Sequence, residues 1–193
     1  IQVHMGPHIL KLLSKEGMDA LPDALTPALA DFFDAPTDST PYDPTSYQST
    51  QGGLIYLTPV RTDIKLPVNH LSTFNLHPTQ SHRAKQIQLL RYLKGYPDVG
   101  PIFSANPDKY PNGPQLSADA DSSFATQFNG QSRSGILYYI GDKNAAFSSY
   151  SSVEPGVSLS PQEAEYKTFG RCAKQCLYWK QFLEGIGFPQ PLP

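Results

Sequence analysis

Apolar positions recur at helical spacing through the first half of the chain and at alternate positions in much of the second half. In PHILKLLSKEGM (7–18), Ile9, Leu12 and Leu13 predict a short amphipathic helix. SYQSTQGGLIYLT (46–58) predicts a second, in which Gly52 and Gly53 each cost about 1 kcal/mol against alanine unless close packing uses them. TDIKLPVNHLSTF (62–74) carries Ile64, Val68, Leu71 and Phe74, and Pro67 inside it should kink the helix or reset its start. TQSHRAKQIQLLRYLKG (79–95) is the strongest helix of this half, with Thr79 as N-cap and Gly95 as the stop.

The period then changes. QLSADADSSFA (115–125), SGILYYIG (134–141) and NAAFSSYSS (144–152) read as three strands, with Gly141-Asp142-Lys143-Asn144 as the hairpin turn between the last two. SPQEAEYKTFGRCAKQCLYWKQFLEGIG, from Ser160, predicts a long final helix. Ser160 is its N-cap, Pro161 its first residue and Glu163 its third, which together make a capping box. Tyr166, Phe169, Ala173, Leu177 and Leu183 predict its buried stripe, and Gly185 and Gly187 end it. The element order points to an α+β chain.

Proline changes the picture of how these elements are joined. The 193 residues include 19 prolines, about twice the usual share. Pro22, Pro27, Pro36, Pro41 and Pro44 fall in 19–45, a stretch with six aspartates between 19 and 43 and no lysine or arginine there. It reads as an acidic, extended linker. Pro97, Pro101, Pro107, Pro111 and Pro114 mark a second linker at 97–114. The expected organisation is a short helix (1–18), the acidic linker (19–45), a helical segment (46–96), the second linker and a strand–helix domain (115–193).

A net charge of −2 argues against a strongly basic, free-standing nucleic-acid binder. No 18-residue apolar run suggests a membrane span, and IQVHMGPHIL lacks the layout of a signal peptide, so an intracellular protein is expected. Two cysteines make no disulfide framework, which fits a reducing compartment. There is no internal repeat, no Gly-x-Ser-x-Gly, no phosphate-binding loop and no His-Glu-x-x-His.

Candidate chemistry is sparse. Asp119 and Asp121, two apart, share one strand face. Glu163 serves the capping box, whereas Glu165 does not. Cys172 and Cys176 stand four apart on one helix face; with no further cysteine to complete a soft metal site, they read as small core residues. His4, His8, His70, His77 and His82 are scattered and predict no zinc site. Arg83, Arg91 and Lys94 fall within about 80° on a helical wheel. They make a candidate phosphate-contacting face, with a solvated basic face as the ordinary alternative.

Five stretches in fixed order carry a resemblance: YQSTQGGLIYLTPVRTDI (47–64), LSTFNLHPTQSHRAKQIQLLRYLKG (71–95), SADADSSFA (117–125), RSGILYYIG (133–141) and SLSPQEAEY (158–166). Together they resemble the polymerase polyprotein of copia-type LTR retrotransposons, from the end of reverse transcriptase into ribonuclease H, over residues 1 to about 188. The resemblance implies a thumb/connection-like helical segment in 1–96. It implies the N-terminal half of a ribonuclease H-like fold after 115, three antiparallel strands and then a helix. The implied parent activity is cleavage of RNA in RNA–DNA hybrids by two Mg²⁺ ions, with Mn²⁺ as substitute. Asp119 matches the family's first-strand aspartate and Glu165 its first-helix glutamate, both as catalytic metal ligands.

The sequence also departs from the family. The third and fourth carboxylates lie beyond this chain, and no Tyr-x-Asp-Asp motif occurs. Ser122 replaces a tryptophan, Thr62 stands where proline is usual, and Pro67 interrupts a helix. The expectation is therefore a fragment with little activity of its own, located in the cytoplasm, a virus-like particle or the nucleus. The alternative is a non-catalytic captured module acting in protein–protein interaction or as a structural subunit. The resemblance further implies that strand 115–121 has an unpaired edge and that helix 160–184 is partly uncovered, so that a second copy or a protein partner would cover them.

Overall fold

Asp43 begins one of the helices. Its carboxylate accepts the Thr45 and Ser46 N–H groups at 3.1 and 3.0 Å, and Pro44 fills the first helical position. The computed structural model describes residues 1–18, 20–34, 37–104, 108–110, 113–125 and 130–190. Pro36, Pro107 and Pro111 of the two proline-rich stretches, and Asp19, lie outside the described residues. The chain divides into two units, one of Val3–Gly100 and one of Ile1–Gln2 with Pro101–Pro193.

The first unit is helical, with α1 (Gly6–Lys15), α2 (Pro44–Leu57), α3 (Lys65–Ser72) and α4 (Gln80–Gly95). A single 3-10 turn, Thr62–Ile64, precedes α3. Pro67 lies in the first turn of α3, where its missing N–H has no intrahelical partner to lose, so the proline resets the helix start. Gly53 is used for close packing: a Cβ there would lie 2.8 Å from Leu12 Cδ1, whereas one at Gly52 would meet nothing within 4 Å. Leu12, Leu54, Leu57, Val68, Leu71 and Leu89 are among the buried core.

The stretch expected as an extended linker contributes to this core. Phe32 is buried in it, and Leu21 and Ala28 pack against it. The Ala24 N–H donates to the Arg91 carbonyl at 3.2 Å. The aspartate and proline content is real, but Leu21, Ala24, Ala28 and Phe32 are spaced among those residues, and burying them offsets the cost of ordering the segment.

The second unit holds β1 (Leu116–Ser123), β2 (Arg133–Ile140), β3 (Ala146–Val153) and α5 (Pro161–Gly185). The sheet is antiparallel in the order β1-β2-β3, with Asp119 opposite Leu137 and Ile136 opposite Tyr150. A bulge at Tyr138/Tyr139 interrupts the β2–β3 register. The hairpin turn is closed by Ala145 N–H to the Asp142 carbonyl at 2.9 Å, and Gly141 takes the left-handed φ of 81° that the turn requires. Ser160 caps α5 by accepting the Glu163 N–H at 3.2 Å, while Glu163 reaches back to the Leu159 N–H at 2.8 Å.

The buried stripe of α5 differs from the expected one. Tyr166, Phe169 and Leu177 are exposed, by 77%, 67% and 53%. The face turned to the sheet holds Ala164, Thr168 and Cys172, with Trp179 and then Leu183 further along. Small side chains let the helix approach the sheet closely, and Thr168 is tied to Ser134 of β2 by a hydroxyl–hydroxyl hydrogen bond. Side-chain size alone selects the wrong face because that hydrogen bond and the sheet's shape are not visible in helical periodicity.

Candidate functional site

Strand alternation decides what the acidic residues of β1 can reach. Ser134, Ile136 and Tyr138 of β2 face α5: Ser134 bonds Thr168, and the other two form a core with Cys172. Their partners Ser122, Ala120 and Ala118 lie on that same face. Asp119 and Asp121 point to the other face, with Leu137 and Tyr139.

The Asp119 carboxylate accepts a hydrogen bond from the Lys143 ammonium, and that bond holds its pKa below the ordinary value. Tyr139, hydrogen-bonded to Asp119, has its pKa raised by burial and by the neighbouring carboxylate. Lys143 also lies 4.5 Å from the Tyr139 ring centroid. Glu165 is exposed on α5, on the opposite side of β1, beside a concavity lined by Ala120, Tyr166 and Phe169. The two expected metal ligands thus address different faces of one strand.

Mg²⁺ takes hard oxygen donors, one or two carboxylates together with substrate phosphates. By strand alternation Asp119 lies on the face of β1 away from α5, and its carboxylate is paired with the Lys143 ammonium. Among the described residues there is no group of three or more His, Cys, Asp or Glu side chains that could hold a metal.

The three candidate phosphate-contacting cations are bound by the chain's own 16–23 segment. Arg83 pairs with Glu16 at 2.8 Å, both nearly buried, and also donates to Thr50 and Gln86. Arg91 Nε donates to the Pro22 carbonyl at 2.7 Å. Lys94 Nζ donates to the Leu21 carbonyl at 2.7 Å and lies 3.8 Å from Asp23. Arg83 is the most enclosed of the three, while Arg91 engages the segment through Nε alone.

Two features escaped the sequence reading. Glu154 is 4% exposed; it accepts from the Ser134 hydroxyl and pairs with Arg171 at 3.5 Å. Arg61 is fully buried, donates twice to Asp63 at 2.9 and 2.7 Å, and donates to the Tyr96 carbonyl at 2.6 Å. Glu154 pairs with residues distant in sequence, and although Asp63 stands only two residues from Arg61, the burial of Arg61 and its bond to Tyr96 are set by the fold.

Comparison with known proteins bears on this arrangement. The chain is 34% identical over 146 residues to the retrovirus-related Pol polyprotein from transposon RE1 of Arabidopsis thaliana. It is 33% identical over the same length to that from transposon RE2 of the same plant. It is 30% identical to that from transposon TNT 1-94 of Nicotiana tabacum. The chain is homologous to the copia-type Pol polyproteins of plant LTR retrotransposons. Each alignment takes in 75% of this chain and 10% of the Pol relative, so the chain spans about a tenth of the length of the curated Pol proteins it matches. No family model matches the chain, and no solved structure matches it. Among the described residues, no helix is long and apolar enough to cross a membrane.

Proposed function

We propose that this chain is the part of a copia-type Pol polyprotein that runs from the end of reverse transcriptase into the first half of ribonuclease H. The parent activity is Mg²⁺-dependent cleavage of RNA in RNA–DNA hybrids, and this chain alone does not perform it. The observation that carries the assignment is the homology to Pol over three quarters of the chain. Three antiparallel strands followed by a helix are consistent with it. The opposed placement of Asp119 and Glu165 supports inactivity of the isolated chain, since a two-metal reaction needs several carboxylates around one phosphate.

The deciding experiment is cleavage of a labelled RNA–DNA hybrid in Mg²⁺ and in Mn²⁺, with Asp119→Asn as control. No cleavage by either protein is the expected result. Cleavage that vanishes in Asp119→Asn would overturn the claim of inactivity, because Asp119 would then have to reach other carboxylates.

A second reading, a non-catalytic interaction module, is favoured by the edge of β1. The Gly141 N–H bonds the Gln115 carbonyl, so the register turns the backbone groups of Ala118, Ala120 and Ser122 away from β2. Gln190 satisfies the Leu116 N–H at 2.7 Å but reaches no further along the strand. Under this reading a second copy of the chain covers that edge. Light scattering at high concentration tests it, and a sharp monomer would remove it.

A further inference from the structure

Cys172 and Cys176 are one helical turn apart on α5, and both are free thiols. Their sulfurs are 4.0 Å from each other. Cys172 is buried and Cys176 is partly exposed. Both line a cavity of about 460 Å³ between α5 and the start of β1. Its other walls include Leu116, Ala118, Phe169, Ala173 and Leu177, with Lys180 as the one charged side chain among the described lining residues. No carboxylate or imidazole is among those residues.

This donor set is selective. Hard cations need oxygen ligands and do not surrender water to a thiol-lined apolar pocket, whereas soft thiolates select Cu(I) and related ions. Taking a first-row metal–thiolate bond of about 2.3 Å, two sulfurs 4.0 Å apart subtend an angle of about 120° at the ion. That is a trigonal arrangement with two positions filled and a third left for a ligand from outside the chain. Two thiolates and a monovalent cation carry one net negative charge, and the cavity's one charged lining residue is Lys180, whose ammonium also lies 3.8 Å from Glu184.

We propose that Cys172 and Cys176 form a two-thiolate site for a soft monovalent cation of the Cu(I) class. On binding, two S–H bonds break and two S–metal bonds form. The two protons go to solvent, and neither sulfur nor metal changes oxidation state. The site does not depend on the assignment to ribonuclease H and uses neither Asp119 nor Glu165.

The test adds Cu(I) under anaerobic conditions to the full chain in competition with a chromogenic Cu(I) chelator. The expected result is retention of about one ion per chain, falling at least about tenfold in Cys172→Ser and in Cys176→Ser. A readout on the unaltered protein guards against misfolded variants: Cu(I) should protect both thiols from alkylation by N-ethylmaleimide, read by mass. No retention, no protection, or undiminished retention in the doubly substituted chain would each overturn the proposal.

Discussion

The carboxylate of Asp119 on β1 is bound by the ammonium of Lys143 in the β2–β3 turn. Lys143→Met should let the Asp119 pKa rise towards the ordinary carboxylate value, read by carboxyl NMR titration. The sign follows from linkage: a lowered native pKa gives stability that is present above the unfolded pKa and lost as pH falls through the native one. Both side chains are more than half exposed, so the pKa is the sensitive readout and the stability change should be small. An unchanged titration would show that the pair does not persist in solution.

Arg61 is the second case, with the opposite burial. Its guanidinium has no exposure, and Asp63 supplies both oxygens to it. Burial alone would raise the Asp63 pKa, but the hydrogen bonds and charge of Arg61, with a bond from Tyr92, together bring it below the ordinary value. Asp63→Ala leaves a buried cation without its carboxylate, held by the Tyr96 carbonyl and the Tyr92 ring, and should cost about 3–5 kcal/mol in urea unfolding. The difference between the two proteins should shrink as the Asp63 carboxylate is protonated in acid.

Gly52 and Gly53 are adjacent on α2 and should respond differently to alanine. At Gly52 the added methyl meets nothing within 4 Å, so Gly52→Ala should stabilise by up to about 1 kcal/mol. At Gly53 it meets the buried Leu12 at 2.8 Å, so Gly53→Ala should be less stable than Gly52→Ala by about 1–3 kcal/mol. Equal midpoints in urea would mean that α1 does not pack on α2 as described.

His82 couples the start of α4 to pH. Its Nδ1 accepts the Thr79 N–H at 3.0 Å, and its ring stacks on Phe74 with centroids 3.8 Å apart. Burial, with a contribution from Lys85, lowers its pKa, so the unfolded chain takes up the proton first. The neutral ring therefore contributes stability above about pH 6.5, and that contribution declines as pH falls below it. His82→Gln should flatten this acid limb in pH-dependent unfolding, and an unaltered limb would assign it to other groups.

Local pattern was enough to place the elements. Periodicity placed four helices and three strands, the Ser160-Pro161-Glu163 run set the start of α5, and ordered motifs identified the Pol relationship. These are local signals, since capping, turn chemistry and side-chain alternation act within a few residues. Packing between elements set which groups meet. It turned α5 so that Thr168 and Cys172 face the sheet while Tyr166 and Phe169 do not, and it packed Phe32 into a core that an acidic composition concealed. It put Asp119 and Glu165 on opposite sides of β1, and it enclosed Cys172 and Cys176 beside a cavity. Such outcomes depend on which faces exclude the most water and satisfy their polar groups at once, a comparison between elements distant in sequence that no local pattern contains.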